Sequence, residues 1–475
     1  WNDVGKRPNV LWICTDQQRY DTIHALGNHR IKTPHTDRLI RDGVAFTRAY
    51  CQSPVCTPSR ASFLTGRYAR TTRCRQNGQQ IPKEEKLLSR IFADHDYTCG
   101  LAGKLHLSSC AKGRVESRID DGYKVFDWSH HPQPDWPENA YSQWLGSKGQ
   151  SWDKLYQGAS TSYIKEGVPS EYHQTTWCAE KTIEFIQSHS EEPWFFSFNC
   201  FDPHHPFDPP PEYMSLYDPD QMELPKFKHE EWNQKSSYQK LDHRWAHNEP
   251  GYFDLQSMTD DDRRQITAAY YAMVTLIDDQ LGRIIAALEQ SGQLEKTLLV
   301  FMSDHGEMLG DHGLYLKGPH FYEEALRVPL VLHWPEGFES GIQCDGLVEL
   351  IDLAPTFCEA ANIPVYEGFQ GKSLTNICRG ESSPDQHRDF VFSEYYNAWT
   401  HRHSYGTMLR SKTEKIVAYH GTDDGEIYDL EKDPNEFENL WNRPGEQDRK
   451  MRLLKWCFDT SVFTMDPMPP RLGPF

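Results

Sequence analysis

Cys56 opens the stretch of this chain in which residue types and spacing most clearly suggest chemistry. The segment reads Cys-Thr-Pro-Ser-Arg from Cys56 to Arg60, and Leu-Thr-Gly-Arg follows over residues 64–67. A thiol is a candidate nucleophile when neighbouring groups activate it. The alternative is an inert buried thiol, the usual state of a free cysteine, placed before a Pro-Ser turn that opens a helix. A catalytic nucleophile requires charged and proton-accepting side chains nearby. Their presence elsewhere in the sequence distinguishes a nucleophilic Cys56 from an inert buried thiol.

Acidic residues follow two apolar runs that have the pattern of buried strands. Residues 9–15 form a short, almost continuous apolar run before Asp16, and residues 298–303 form another before Asp304 and His305. Such runs are typical of parallel strands, and ligands of open α/β sheets bind beyond the carboxyl ends of those strands. Carboxylate oxygens suit Ca²⁺ or Mg²⁺, and a histidine also admits Mn²⁺. The pattern predicts a divalent metal site, unless both acids only cap helices.

Lysine and histidine side chains that could carry charge or protons recur at three further places. Lys104 and His106 follow another strand-like segment, and residues two apart on an extended segment share a face, so we expect them to point the same way. His204 and His205 lie in a proline-stiffened loop, and Lys317 follows the second acidic strand end. A single lysine or histidine is most often a surface or structural group. Their joint order with the acids and the cysteine favours a catalytic role.

The ordered motifs resemble those of type I sulfatases in the alkaline-phosphatase-like superfamily. Asp-Gln, Cys-x-Pro-Ser-Arg, Gly-Lys-x-His, Pro-His, Asp-His-Gly and a later lysine occur in that order. Residues 304–313 are similar to the second long signature of the family. Residues 410–415 and 426–434 resemble the strand and closing segment of its small domain. The resemblance therefore extends over nearly the whole chain.

Two positions narrow the subgroup that the chain resembles. Gln17 stands where many arylsulfatases have a second Asp, and His305 stands where they have Asn. Both residues are similar to those of choline sulfatases, polysaccharide sulfatases and phosphonate monoester hydrolases. The identity of the metal depends on these two positions.

The resemblance implies a set of site residues. In this family a formylglycine-generating maturation enzyme, here an expected partner, oxidises the signature cysteine to formylglycine. A divalent metal, Ca²⁺ ahead of Mg²⁺ or Mn²⁺, is expected to be bound by Asp16, Gln17, Cys56, Asp304 and His305. Catalytic roles are implied for Cys56, Arg60, Lys104, His106, His204 and Lys317. Expected substrate contacts are Asn77, Trp128, His205 and His320.

The resemblance also implies how these residues share the reaction. The formylglycine hydrate attacks sulfur, and Asp304 accepts a proton from the nucleophile. His204 with Lys317 protonates the departing alcohol, and His106 takes a proton from the second hydroxyl as sulfate leaves. The metal and the cationic side chains of Arg60, Lys104 and Lys317 offset the negative charge of the sulfate oxygens.

Charge and composition exclude several partners. The net charge of −19 over 475 residues disfavours general binding to nucleic acid or to anionic membranes. No apolar run approaches the ~18 residues that a membrane span requires. The twelve cysteines lack the paired spacing of a zinc ribbon or disulfide scaffold. The sequence starts at Trp1 without a recognisable signal peptide, and both the bacterial cytoplasm and the periplasm stay open as locations. Homo-oligomerisation also stays open.

The alternation of strand-like and helix-like segments predicts an α/β fold, a large mixed sheet sandwiched by helices with a smaller C-terminal α+β domain. We predict a catalytic domain over 1–375 and a small subdomain with a Pro-rich tail over 376–475. The clearest helix begins after Thr259, whose Thr-x-x-Asp pattern is a capping box. Residues 130–160 and 203–258, rich in Pro, Trp and His, predict long loops over the active face.

The predicted function is hydrolysis of a sulfate monoester of an alcohol, most simply a sulfated sugar or oligosaccharide, because aromatic loop residues can stack on pyranose faces. The same aromatic residues could enclose the quaternary ammonium of choline sulfate. A phosphonate or phosphate ester hydrolase is the alternative within enzymes, although the Gly-Lys-x-His motif favours elimination of sulfate. Outside enzymes, the alternative is an inactive binding protein on the same scaffold.

Overall fold

The computed structural model describes residues 7–111, 114–133, 136–398 and 403–473. The strands within these ranges are β1 (Asn9–Thr15), β2 (Val44–Phe46), β3 (Ala49–Tyr50), β4 (Thr98–Gly103), β5 (Val125–Trp128), β6 (Trp194–Asn199), β7 (Thr297–Ser303), β8 (Arg327–Val328), β9 (Leu330–His333), β10 (Ile342–Cys344), β11 (Val348–Glu349), β12 (Val391–Tyr396), β13 (Tyr405–Arg410), β14 (Glu414–Tyr419) and β15 (Gly425–Asp429). The helices are α1 (Pro34–Asp42), α2 (Cys56–Thr65), α3 (Ala69–Thr72), α4 (Leu88–Ala93), α5 (Ala140–Ser147), α6 (Trp152–Leu155), α7 (Gln174–Ser188), α8 (Pro211–Met214), α9 (Ser237–Arg244), α10 (Asp260–Gln290), α11 (Glu323–Leu326), α12 (Leu353–Ala360), α13 (Thr375–Cys378) and α14 (Gln447–Phe463).

The largest sheet is mixed and has the strand order β10-β2-β9-β7-β1-β6-β4-β5. In its centre β1 pairs in parallel with both β6 and β7, and β4 pairs in parallel with β6. The carboxyl ends of these four strands therefore meet at one edge of the sheet, where ligands of such sheets bind. The predicted large mixed sheet and the convergence of its strand ends are confirmed.

Helices cover both faces of this sheet because its central strands are apolar on both sides. Along β1, Val10 and Trp12 belong to one core cluster, and Leu11 and Ile13 belong to the other. The first core also contains side chains of α2, and the second contains side chains of α10. Burial on both faces explains why these strands read as continuous apolar runs rather than as alternating ones.

The long helix α10 begins as its sequence predicts. Thr259 is the N-cap, its hydroxyl accepts from the backbone N–H of Asp262 (3.1 Å), and the Asp262 carboxylate accepts from the N–H of Thr259 (2.8 Å). The capping box satisfies two donors that a helix start otherwise leaves open. Within the described ranges no helix combines the length and apolar character needed to cross a bilayer.

A four-stranded antiparallel sheet, β12-β13-β14-β15, forms the C-terminal part of the fold with α14. Leu409, Ile416 and Ile427 of this sheet share a core with Leu453 and Cys457 of α14. The predicted small α+β unit is thus present. Its boundary at residue 376 remains a prediction, and α13, which spans that point, still packs on the core of the large sheet.

The two segments predicted to be long loops contain short helices. Residues 130–160 include α5 and α6, and residues 203–258 include α8 and α9. Helices of four to eight residues are too short to show a clear helical period in the sequence. The segments nonetheless reach the functional edge of the sheet.

Candidate active site

Cys56 is the first residue of α2, a helix whose ten residues are all buried. The preceding Val55 is extended, so the chain enters the helix at the cysteine itself. The N–H of Thr57 lies in the first turn of the helix, where backbone donors have no partner within the helix, and it donates to Asn77 Oδ1 (3.0 Å). Asn77 therefore helps to fix the start of this helix and, with it, the position of residue 56.

Four side chains gather where β1 and β7 end. Asp16, Cys56, Asp304 and His305 each place one ligand atom within 4.8 Å of the others, and all four are buried. Cys56 Sγ lies 3.1 Å from His305 Nε2 and 3.8 Å from Asp16 Oδ1. The Nδ1 atom of His305 bonds the carbonyl oxygen of Gly306 (2.9 Å), which leaves its Nε2 facing the cluster. The predicted convergence of these residues is confirmed, and neither acid is a helix cap.

Arg60 and Lys104 neutralise the two buried carboxylates. Arg60 donates to Asp304 Oδ2 (2.9 Å) and lies 3.3 Å from Asp16 Oδ2, while Lys104 forms an ion pair with Asp16. Burial opposes ionisation of Asp16, but Lys104 and Arg60 outweigh it and hold the pKa of Asp16 below its usual range. Burial likewise acts to lower the pKa of Lys104, yet Asp16 raises it overall. Both members of the pair are therefore charged.

The cations also act on the thiol. Burial and then Asp16 raise the pKa of Cys56, but the combined charges of Lys104, Lys317 and His305 bring it below the ordinary cysteine value. Positive charge at this point favours an anionic nucleophile. The same positive charge would stabilise an anion at residue 56 whether the negatively charged atom were sulfur or oxygen.

The Gly-Lys-x-His motif requires glycine at position 103. The φ of Gly103 is 104°, and a Cβ atom would lie 1.9 Å from the carbonyl oxygen of Asn199 on the neighbouring strand. Only glycine fits, and the N–H of Lys104 then donates to the same carbonyl (2.9 Å). This bond directs Lys104 across the end of β6 toward Asp16.

His106 reaches the site by a route that the sequence did not predict. Its backbone is left-handed (φ 61°), not extended, so the expectation that it shares a strand face with Lys104 was wrong. The Glu116 carboxylate accepts from the N–H groups of His106 (2.9 Å) and Leu107 and compensates for the missing strand partners. His106 Nε2 then lies 3.1 Å from Thr57 Oγ1, on the residue that follows Cys56.

Lys317 and His204 form a hydrogen-bonded pair at the same edge of the sheet. Lys317 Nζ lies 2.7 Å from His204 Nε2, and His204 Nδ1 donates to the carbonyl oxygen of His205 (2.5 Å). His204 Nε2 therefore accepts a hydrogen bond from the Lys317 ammonium. Burial, and next the charge of Lys317, lower the pKa of His204 well below the usual value, so the imidazole is neutral. The proton of this pair resides on lysine.

Gln17 contacts the same lysine. Its side-chain oxygen accepts from Lys317, its side-chain nitrogen donates to Glu307, and its backbone N–H donates to Asp304 Oδ1 (3.0 Å). Ligation of a cation by Gln17 would require that oxygen to leave Lys317. The role of Gln17 as a metal ligand stays a prediction.

A cavity of about 320 Å³ opens over the cluster. Five of the predicted catalytic side chains line it, as do two of the four predicted substrate contacts: Cys56, Lys104, His106, His204, Lys317, Asn77 and His205. Arg60 lies behind the wall, where it bonds both carboxylates. The lining also includes His130, His247, Ser109 and Cys110, which were not singled out from the sequence. The His-rich composition of residues 130–160 and 203–258 was the available signal for the two histidines.

Two predicted substrate contacts do not line the cavity, and these assignments are corrected. Trp128 is buried, and its indole donates to Glu116 Oε2 (3.0 Å), so it supports the loop that carries His106. His320 is fully buried, and its Nε2 lies 3.0 Å from Asp242 Oδ2. The Trp128 indole thus has a protein acceptor and the His320 ring lies beside a buried carboxylate, and neither residue is among those that line the cavity.

Comparisons with known proteins agree with this geometry. The "Sulfatase" family model matches residues 8–363, and the model "N-sulphoglucosamine sulphohydrolase, C-terminal" matches residues 310–459. An arylsulfatase of Clostridium perfringens is 28% identical over 469 residues, which cover 94% of this chain and 93% of the relative. An N-acetylglucosamine-6-O-sulfatase of Bacteroides thetaiotaomicron is 22% identical over 521 residues, covering 98% and 88%.

Among solved structures, a phosphonate monoester hydrolase of Agrobacterium radiobacter superposes with a TM-score of 0.82 at 24% identity, with 98% of each chain covered. The fold is thus that of the alkaline-phosphatase-like hydrolases. Within that class, the chain belongs to the sulfatase family, and it is a sulfuric ester hydrolase.

Proposed function

We propose that this protein hydrolyses sulfate monoesters of sugar hydroxyl groups to the free alcohol and inorganic sulfate, with residue 56 in its formylglycine form as the nucleophile. The observation that best supports this is the placement of Cys56 in a buried ligand cluster beneath a cavity that also carries Lys104 and Lys317. The lysines attract a sulfate group. The helix start directs residue 56 into the same space.

The residues of the cluster fit a hard divalent cation. Asp16 and Asp304 supply carboxylate oxygens, and His305 supplies an imidazole nitrogen whose other ring nitrogen is already bonded. We propose Ca²⁺, with Mg²⁺ or Mn²⁺ as alternatives, because oxygen donors predominate once the thiol of residue 56 is replaced by hydroxyl groups. A bound cation supplies positive charge that favours the ionised nucleophile and stabilises charge on the sulfate oxygens.

Two imidazoles divide the proton transfers. We propose that the Lys317–His204 pair supplies the proton that the departing alcohol takes up, since the Lys317 ammonium nitrogen lies 2.7 Å from His204 Nε2 at the cavity wall. His106 accepts a proton from residue 56 in the step that releases sulfate. Burial, and then Lys104 and Arg60, lower the pKa of His106 well below the usual value, so the ring is neutral and can accept.

The cavity lining favours a sugar over choline as the alcohol. Among its described residues, side chains that can hydrogen-bond to hydroxyl groups predominate, including Asn77, His130, His205 and His247, and none is a tryptophan, tyrosine or phenylalanine. The aromatic stacking on a pyranose face that the sequence suggested therefore has no counterpart in this lining, and the preference for a sugar rests on hydrogen bonding. Quaternary ammonium groups are recognised by aromatic faces. The N-acetylglucosamine-6-O-sulfatase relative is consistent with a sugar substrate.

A panel of substrates tests this proposal. Purified, matured enzyme is incubated with sulfated mono- and oligosaccharides, choline sulfate, an aryl sulfate and an aryl phosphonate monoester, and released sulfate, choline or phenol is measured. We expect kcat/KM to be highest for a sulfated sugar and higher for the aryl sulfate than for the phosphonate. Turnover of the phosphonate above every sulfate ester would support the alternative phosphonate hydrolase. Absence of turnover with fully matured protein would support an inactive binding protein.

A further inference from the structure

A second group of metal-binding side chains lies beside the proposed sulfate site. His106, Cys110 and His130 each place one potential ligand atom within 4.8 Å of the others, and all three line the cavity. This group consists of two imidazoles and a thiol, without a carboxylate. Nitrogen and sulfur donors suit Zn²⁺ and other borderline or soft ions, whereas Ca²⁺ and Mg²⁺ require oxygen.

Both imidazoles have one nitrogen bonded and one nitrogen without a partner. His106 Nε2 bonds Thr57 Oγ1 (3.1 Å), and His130 Nδ1 bonds His131 Nδ1 (2.7 Å). Their other nitrogens, His106 Nδ1 and His130 Nε2, are buried and have no hydrogen-bond partner among the described residues. Buried polar atoms without partners are costly and uncommon. A metal ion would accept both lone pairs, and the bonded nitrogens would orient the rings as outer-shell partners of zinc ligands do.

The spacing is close to that of a tetrahedral site. Zinc at about 2.0–2.3 Å from nitrogen and sulfur ligands separates those ligands by roughly 3.3–3.8 Å, so at most about 1.0–1.5 Å of closure is needed. Cys110 lies in a segment without regular secondary structure, which can supply that movement. The cavity leaves a fourth position open to water. Lys104 opposes a second cation here, and burial, followed by Glu116, raises the pKa of the Cys110 thiol to about 12, so zinc must displace the thiol proton on binding.

We propose that His106, Cys110 and His130 form a second, inhibitory metal site that takes Zn²⁺. On binding, the Cys110 thiol releases its proton to solvent, and the ion takes the lone pair of His106 Nδ1. The binding part of this inference is independent of the proposed function. The inhibition part rests on it, because it requires His106 to act in sulfate release.

Direct binding measurements test the site without reference to activity. Zinc binding is measured by calorimetry in excess Ca²⁺ on Cys56→Ser protein, which removes the thiol of the first cluster. We expect one zinc equivalent, with affinity at least tenfold weaker in the additional variants Cys110→Ser and His130→Gln. Cys457→Ser is the matched control, because that thiol is 6% exposed against 7% for Cys110 and lies on α14. It should bind zinc as the parent does.

Inhibition is measured on matured enzyme, each variant relative to its own zinc-free rate. Cys110→Ser should require at least tenfold more zinc than wild type for half inhibition, while Cys457→Ser should match wild type. Circular dichroism confirms that each variant is folded, and His130→Gln serves if Cys110→Ser is not. Equal zinc affinity in parent, Cys110→Ser and His130→Gln would overturn the site. Loss of zinc binding in both variants without relief of inhibition would confirm the site and overturn its inhibitory role. Zinc bound at the site of the wild-type enzyme without a loss of rate would confirm the site and contradict the role of His106.

Discussion

At the scale of single residues, His204 and His106 differ in the side chains that they contact. His204 accepts from Lys317, so it belongs to a pair that stores a proton, whereas His106 contacts Thr57 beside the nucleophile and is neutral. The same type of side chain can therefore serve as part of an acid in one position and as a base in the other. Its neighbours, rather than the ring itself, determine the role.

His204→Ala should slow substrates according to their leaving groups. A sugar alkoxide needs a proton as it departs, so we expect a loss of about 10²–10⁴-fold in kcat/KM on a sulfated sugar. A nitrophenolate is stable without that proton, so nitrophenyl sulfate should lose roughly tenfold or less. Equal fractional losses on both substrates would contradict the assignment of His204 to the leaving group.

His106→Ala is the companion variant. Because His106 is assigned to the step after the alcohol has left, stopped-flow assays with nitrophenyl sulfate should show a burst of about one equivalent of phenol and then slow turnover. The His204 variant should show no burst. Linear product release from the first turnover in the His106 variant would place His106 outside sulfate release.

The carboxylates of the ligand cluster should control metal content and activity together. Asp16→Ala and Asp304→Ala each remove an oxygen donor, so both should lose bound metal, measured by atomic spectroscopy, and most turnover. We expect Asp304→Ala to be the more severe because Asp304 also orients Arg60 and the backbone of Gln17. Asp153→Ala, at an exposed acid, is the control. Full metal occupancy with normal activity in both cluster variants would contradict the metal assignment.

At the scale of elements, the position of residue 56 depends on how α2 ends as well as on how it begins. Gly66 closes the helix in a left-handed conformation (φ 64°), and its N–H donates to the carbonyl oxygen of Ser62. A Cβ atom there would lie 2.7 Å from Phe369 Cδ1 and 2.8 Å from Ala354 Cβ. The glycine of the Leu-Thr-Gly-Arg segment thus has both a conformational and a packing reason.

Gly66→Ala should therefore lower the free energy of unfolding by more than the cost of placing alanine in a left-handed backbone conformation. Gly292→Ala is a matched control, because Gly292 has the same φ of 64° and nothing within 4 Å of its Cβ position. We expect a loss of about 1 kcal/mol in the free energy of unfolding for Gly292→Ala, and a further 1–3 kcal/mol or so for Gly66→Ala from overpacking. Urea denaturation measures both. Equal losses would show that the contacts with Phe369 and Ala354 relax freely.

The elements that the sequence predicted well are those with strong local patterns. β1 and β7 could be predicted because strands buried on both faces are apolar throughout, and α10 because its capping box precedes a long helical period. The Glu116 bonds that hold His106, and the position of His247, could not be predicted, because they depend on tertiary contacts between irregular segments. Trp128 and His320 do not line the cavity, and residue type alone does not reveal which side chains the fold brings to it.

At the scale of the whole molecule, a buried ion cluster connects the segment from β11 to α12 with the C-terminal sheet. Arg388, just before β12, donates to Asp352 Oδ2 (2.9 Å) and lies 3.1 Å from Glu349 Oε2. Glu349 also accepts from the N–H of Phe392 (2.7 Å) in β12. Burial alone would raise the pKa of Asp352, but Arg388 and then His387 hold it below its usual range. The charged form of Asp352 therefore stabilises the assembled fold.

This cluster predicts a pH dependence of stability. An acid whose pKa is lower in the folded state contributes its stability above its unfolded pKa, about pH 4, and loses it as the pH falls through the folded value. Asp352→Asn should cost roughly 3–5 kcal/mol at pH 7, because Arg388 loses its buried partner. The difference from wild type should shrink below about pH 4. A difference in Tm that stays constant from pH 7 to pH 3 would contradict this role.

The mass of the peptide that contains residue 56 tests the central claim most directly. Conversion of the Cys56 thiol to the aldehyde lowers the peptide mass by about 18 Da, and the converted fraction can be measured in preparations made with and without a maturation enzyme. We expect specific activity on nitrophenyl sulfate to rise in proportion to that fraction and to approach zero when residue 56 is entirely cysteine. Full activity in a preparation whose residue 56 is entirely thiol would contradict the account.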